Sequence, residues 1–200
     1  EFADRYEYDP RRAVPTVGGA NCCNFTLLPW GPLDQRPVEG RRDVLVYTAP
    51  PLREPLEITG DVRAVLYVSS SAADTDFTAK LVAVQSDGAA RILADGLTRL
   101  RYREGVERPV AYRIGSVVEL EIDLGPTAYR FSPGEAVRLE VSSSNFPKFD
   151  RNLNTGRLLA AETQMRTARQ AVHHGPERPS RLVLPVLRRV EKPLSERLVR

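Results

Sequence analysis

Few side chains in this 200-residue chain are of types that do chemistry, and their spacing works against it. Only two histidines occur, His173 and His174, and they are neighbours. On a strand their rings point to opposite faces, so at most one serves a given site. An α/β-type serine hydrolase sets its nucleophile in Gly-x-Ser-x-Gly at a strand-to-helix turn. That pentapeptide does not occur, nor do Gly-x-x-x-x-Gly-Lys and Gly-x-Gly-x-x-Gly, the phosphate-binding patterns. Asp74 and Asp76 match half a calcium loop without its acidic continuation, so turn formation is their expected use. Cys22 and Cys23 are adjacent, a geometry that seldom bridges, and ligands at metal spacing are missing. Buried free thiols are the expected state. No metal, no cofactor and no catalytic residue is assigned.

Charge and composition narrow the partners. The net charge is +3, and Lys occurs only at 80, 148 and 192, so Arg supplies 26 of the 29 basic residues. The arginines are scattered among acids, whereas a nucleic-acid face clusters them, so no nucleic-acid partner is expected. No run approaches the ~20 apolar residues of a membrane span, and the opening Glu1-Phe-Ala-Asp-Arg lacks a signal peptide's apolar centre. A cytoplasmic location is expected, unless an export signal lies outside this sequence. A hydrophobic fraction of 42% suffices for a real core.

The elements read as strands. Residues 1–42, rich in Pro, Gly, Asn and Arg, read as an extended arm packed on the body. Asp43–Thr48, Leu56–Thr59, Asp61–Ser69, Phe77–Val84, Ile92–Tyr102, Ser116–Asp123, Ala128–Phe131 and Ala136–Ser142 show strand-type alternation, punctuated by turn residues. Gly96 marks a bulge or a close approach. Leu158–Arg166, with its Ala, Glu, Gln and Met, is the one helical candidate. Thr167–His173 reads as a strand, joined through Gly175–Pro179 as a hairpin to Arg181–Leu187. The expected architecture is all-β: a sandwich over 43–187, one or two short helices at most, and a peripheral tail over 188–200.

The densest signal is Val141-Ser-Ser-Ser-Asn-Phe-Pro-Lys-Phe-Asp-Arg-Asn-Leu-Asn-Thr-Gly156. A strand enters a loop of Asn, Ser, Asp and Pro, residues that bond their own backbone or fix φ. Phe146 and Phe149 sit in it, against the sheet or facing a partner.

Several segments together resemble the C-terminal domain of the cocaine esterase/NonD hydrolases, a group that includes X-Pro dipeptidyl-peptidases, cephalosporin acylases and α-amino acid ester hydrolases. They are Tyr8-Asp-Pro10, Val14-Pro-Thr-Val-Gly-Gly19, Gly31-Pro-Leu-Asp-Gln-Arg-Pro37, Asp43-Val-Leu-Val-Tyr-Thr48, Ser69–Val82, Asp95–Arg103, Ser142–Gly156 and Pro179-Ser-Arg-Leu-Val-Leu-Pro185. The ordered set spans nearly the whole chain. The resemblance implies a jelly-roll, galactose-binding-domain-like sandwich. It would follow an α/β-hydrolase domain carrying the Ser-His-Asp triad, so this chain alone is expected to be inactive. In that family the arm after the double glycine lines the acyl side of the pocket. The resemblance therefore puts Asn21, Cys22 and Cys23 there, in a version nearer the acylase and amino-acid-ester-hydrolase branch. Asp34, Arg36, Phe146, Phe149, Asp150 and Arg151 are the candidates for docking on the catalytic domain or for holding the loops. The implied partners are that domain and a small acyl ester or amide, with self-association left open. A carbohydrate-binding jelly roll is the alternative, weakly supported by Trp30.

Overall fold

The computed structural model describes residues 2–22, 26 and 28–187. Nine strands run in chain order: β1 Phe2–Tyr8, β2 Leu45–Thr48, β3 Leu56–Ser70, β4 Asp76–Val84, β5 Ala90–Arg99, β6 Val118–Phe131, β7 Ala136–Ser142, β8 Ala168–His174 and β9 Arg181–Val183. Besides short 3-10 turns, one helix among the described residues, α1, occupies Arg36–Glu39. All pairings between these strands are antiparallel. One sheet has the order β1-β8-β3-β6 with β9 also on β3, and the other β2-β7-β4-β5. The chain is thus a sheet-on-sheet β-sandwich.

Alternation decides which face goes inward. Ile58, Val62, Ala64, Leu66 and Val68 of β3 meet Phe77, Ala79, Leu81 and Ala83 of β4 in one buried cluster. Each fully buried Leu, Ile or Phe contributes about 1.5–3 kcal/mol relative to exposure. The two sheets close at the β5/β6 side. A methyl at Gly96 would lie 1.9 Å from the Asp123 carbonyl oxygen, so Gly96 marks a close approach. The bulge in the β4–β5 pairing falls opposite the Leu81–Val82 step instead. Strand β4 is buried along almost its whole length on both faces. On its second face Lys80 lies beneath Gln35 of the arm.

Three elements depart from the expectations. Phe2–Tyr8 is an edge strand paired with β8. Its alternation was faint because only Tyr6 and Tyr8 point into buried space. Leu158–Arg166 is not a helix; only Leu159–Ala161 forms a 3-10 turn. This stretch has no apolar stripe to bury, and so short a helix is marginal without packing. Glu162 instead accepts the Thr163 and Gln164 amides, at 2.9 and 2.8 Å. Finally, β8 and β9 are not a hairpin. Both lie along the same edge of β3, β8 over Tyr67–Ser70 and β9 over Arg63–Val65. Residues 175–180 are an excursion from one interrupted strand, which the chain extends through a bridge between Ile58 and Val186.

No helix among the described residues is long and apolar enough to cross a membrane.

Candidate functional site

The arm is fastened first to the loop that follows β7. The Val14 amide donates to Ser144 Oγ at 2.8 Å. Phe146 N–H donates to the Val14 carbonyl at 2.9 Å, and Thr16 N–H to the Phe146 carbonyl at 2.7 Å. Val14, Val38 and Val44 form a small buried cluster of their own, with Val17 against it.

The double glycine then makes a neck. Gly19 and Gly31 exchange backbone hydrogen bonds of 2.9 and 3.0 Å, so the chain on either side of this segment is brought to one point. Both glycines of the pair are needed. Gly18 has φ 67°, and a β-carbon there would sit 2.5 Å from the Gly31 carbonyl oxygen. Gly19 has φ 92°, and a β-carbon there would sit 2.9 Å from Asp95 Oδ1. Asn21 Nδ2 spans the neck, donating to the Gly18 carbonyl at 2.7 Å and the Pro29 carbonyl at 3.3 Å. Its Oδ1 is buried and unpaired. Past the neck, the chain lies along β5: Ile92 N–H donates to the Leu33 carbonyl, and Gln35 N–H to the Ala90 carbonyl. Arg36 Nε donates to Asp34 Oδ2 at 2.8 Å, and Asp34 Oδ1 accepts the Ala90 amide. The guanidinium holds the Asp34 carboxyl down at about 2. This partly exposed pair pins the arm to the start of β5.

Beneath the neck sits a buried carboxylate. Asp95 accepts from Asn145 Nδ2 at 2.8 Å and from Lys148 Nζ at 2.8 and 2.9 Å. Lys148 Nζ also stands 5.3 Å from the centre of the Phe149 ring. The Phe146 ring is partly exposed, with the Arg151 guanidinium 4.8 Å over it. Arg151 also donates to the Pro10 carbonyl. The structure therefore brings together the glycine neck, Asn21, Phe146, Phe149 and Arg151, with Asp34 and Arg36 on the β5 side of the arm. Asp150 points to solvent.

The cysteine expectation needs correcting. Cys22 is exposed and disulfide-bonded, not a buried thiol. The residues carried over from the resemblance are otherwise placed only in part, since Cys23 lies outside the described residues. Sequence reasoning also missed the polar layer under the arm. Lys80 Nζ donates to Gln35 Oε1 at 2.9 Å and stands 3.6 Å from Glu140 Oε2. Arg138 Nη1 donates to Glu39 Oε1 on α1 at 2.7 Å. Burial pushes the Glu140 carboxyl up to about 7 and the Lys80 ammonium down. The available signal was a lysine within an otherwise apolar strand run.

The rest of the Asn-rich loop is structural. Asn152 Nδ2 bridges Asp74 Oδ2 and Asp76 Oδ1, at 3.0 and 2.8 Å. Arg101 and Arg99 pair with the same two carboxylates at 2.7 and 2.8 Å. Asn154, in the left-handed region at φ 61°, accepts from Thr75 Oγ1; short polar side chains visit that region most readily. The histidines are held apart. His173 Nε2 lies 2.9 Å from Ser69 Oγ, both buried, and burial lowers the imidazole's affinity for a proton. The nearby carboxylate, Asp4, is 2.9 Å from His174 instead. These contacts tie strands together. The site positions and shapes; among the described residues these contacts do not line up a nucleophile, base and orienting acid.

Comparison with known proteins agrees with that division of labour. The family model of the X-Pro dipeptidyl-peptidase C-terminal non-catalytic domain matches residues 1–183. Cocaine esterase of Rhodococcus sp. (strain MB1 Bresler) is 50% identical over 195 residues, 94% of this chain and 33% of that protein. An aminopeptidase structure from a marine sediment archaeon, Thaumarchaeota archaeon, superposes with TM-score 0.84 at 30% identity, over 94% of this chain and 33% of that one. An α-amino acid ester hydrolase does so with TM-score 0.83 at 31% identity, over 92% and 32%. The chain thus spans about a third of the length of each of these relatives.

Proposed function

Because this chain belongs to the X-Pro dipeptidyl-peptidase C-terminal non-catalytic domain family, we propose that it serves as the accessory β-sandwich of a serine acyl hydrolase. In this reading an α/β-hydrolase domain supplies the Ser-His-Asp triad. Residues 20–30, held out at the Gly19–Gly31 neck, line the acyl side of its pocket. The exposed Phe146 and Asp150, with Arg151, face that domain. Ester or amide substrates fit the relatives, which are named as an esterase, an amino-acid ester hydrolase and an aminopeptidase.

The observation that carries the reading is the neck. Reciprocal hydrogen bonds between two glycines, set on the Asp95–Lys148 pair, fix the two ends of the segment that carries Asn21. Small and polar residues in such a segment leave room for a ligand and orient it. Acyl transfer itself would proceed through the other domain's serine.

A chimera tests this. This chain replaces the matching third of the 50%-identical esterase, and nitrophenyl esters are assayed. The chimera is expected to turn over, while this chain alone reads as buffer. Asn21→Ala is expected to change KM and acyl-chain preference more than the melting temperature. A folded chimera whose kinetics ignore every change in residues 20–30 would overturn the reading, as would turnover by the chain alone.

A further inference from the structure

We propose that the gap between β8 and β9, at the open edge of the sandwich, is a binding site for a small uncharged apolar molecule carrying an aromatic or branched alkyl group. The gap follows from the topology. β8 leaves β3 after the Tyr67–His173 pair, and β9 rejoins only at the Val65–Arg181 pair. On the facing sheet the edge strand β2 is only four residues long. The inter-sheet core is therefore uncovered here, leaving a cleft of about 480 Å³. Known ligand sites run from about 300 to 1,000 Å³.

Leu66 and Val172 form the buried floor, and Val137, Leu139, Leu182 and Leu184 the walls. The rim carries polar side chains, but each is already bonded within the chain. Tyr47 OH donates to Asp4 Oδ2 at 3.0 Å, and His174 Nε2 lies 2.9 Å from the same oxygen. Thr48 Oγ1 accepts from Arg138 Nε at 2.8 Å. Ser180 Oγ accepts from the Tyr67 amide and donates to the His173 carbonyl, at 2.8 and 2.7 Å. Arg181 extends beside Val65, and its Nη1 donates to the Pro179 carbonyl.

An ionic head group over the leucine and valine floor would shed its own hydration for little return. An apolar molecule gains by covering leucine and valine, since apolar cavities are poorly served by water. The Tyr47 and His174 rings, T-shaped at 5.4 Å, present the mouth with an aromatic edge and face. Edge-to-face geometry of this kind favours an aromatic guest.

The test uses the whole chain and N-phenyl-1-naphthylamine, an uncharged dye that brightens in apolar surroundings. Saturable binding of one dye per chain is expected, displaced by toluene and not by naphthalene-1-sulfonate or naphthylmethylamine. Ala49 lines the cleft from an exposed position, so Ala49→Trp fills it without disturbing the core. That variant is expected to weaken the dye by about tenfold or more, equivalent to about 1.4 kcal/mol. Leu158→Trp, on an exposed residue outside the cleft, controls for the added indole and should leave affinity unchanged. Absence of saturable binding overturns the proposal. So does binding that Ala49→Trp leaves intact in a folded variant, or preferential displacement by either charged naphthalene.

Discussion

Replacing Glu140 by Gln should flatten the dependence of stability on pH. Glu140 lies on β7 under the arm, with neither carboxylate oxygen hydrogen-bonded. The charged groups around it are Lys80 of β4 at 3.6 Å, Glu39 of α1, and Asp95 of β5, which acts through Lys80; Arg138 neutralises Glu39 from β7 itself. Burial outweighs the attraction of Lys80 and moves the carboxyl from 4.5 to about 7. The unfolded chain therefore releases this proton near 4.5, and the folded chain holds it to about 7. Stability is complete below the lower value, falls as pH rises between the two, and is flat above. At about 1.4 kcal/mol per pH unit the fall is about 3 kcal/mol. With a urea slope of about 2 kcal/mol/M, the midpoint would drop by about 1.5 M between pH 5 and 7.5. Glu140→Gln also removes the carboxylate that strengthens the Lys80 hold on its proton, so the difference between the two curves reads the Glu140–Lys80 pair. Urea melts followed by Trp30 fluorescence and far-ultraviolet dichroism at half-unit pH steps measure it. Parallel curves for Glu140→Gln and parent across pH 5 to 7.5 would refute the reasoning.

Gly96→Ala places a methyl 1.9 Å from the Asp123 carbonyl oxygen. A loss of at least about 3 kcal/mol is expected from forcing the β5 and β6 backbones apart, visible as a lowered urea midpoint. Lys148→Met leaves Asp95 buried beneath the neck without its cation. The expected cost is about 3 kcal/mol, and the double variant Asp95→Asn/Lys148→Met should regain part of it in a thermodynamic cycle. Ser69→Ala should leave nitrophenyl-ester hydrolysis at the buffer rate, as in the parent. A measurable parent rate abolished by this change would make the Ser69–His173 pair a reaction centre.

The sandwich was legible because its central strands alternate strongly. Asp61–Ser69, Phe77–Val84 and Ser116–Asp123 each carry an apolar face that burial then confirms. Boundaries were less legible. Leu56–Thr59 and Asp61–Ser69 read as separate strands, yet β3 runs through the intervening Gly60 at φ 128°. Segment Leu158–Arg166 misled because helix propensity is weak beside the absence of anything to pack on. Asp34 and Arg36 stood out as candidates for docking or for holding the arm, and the structure pairs them at its partly exposed edge. The neck was half legible: the double glycine stood out, but its partner Gly31 and the carboxylate beneath it are distant in sequence. Asp95 and Lys148, 53 positions apart, meet only once β5 and the post-β7 loop are in place. The polar layer around Lys80 and Glu140 escaped because its one local sign, a lysine in a largely apolar strand, does not say what covers that face.

The detour of residues 175–180 has a practical consequence. Its two ends are clamped to neighbouring positions on one strand, and Pro176 and Glu177 at its tip are exposed. Extra residues spliced between them would lengthen a loop without altering the register of either flank, where chains best accept insertions. A reporter peptide or tethered fluorophore grafted there would hang beside the mouth of the inter-sheet cleft, making this spot a natural attachment point for engineered sensing.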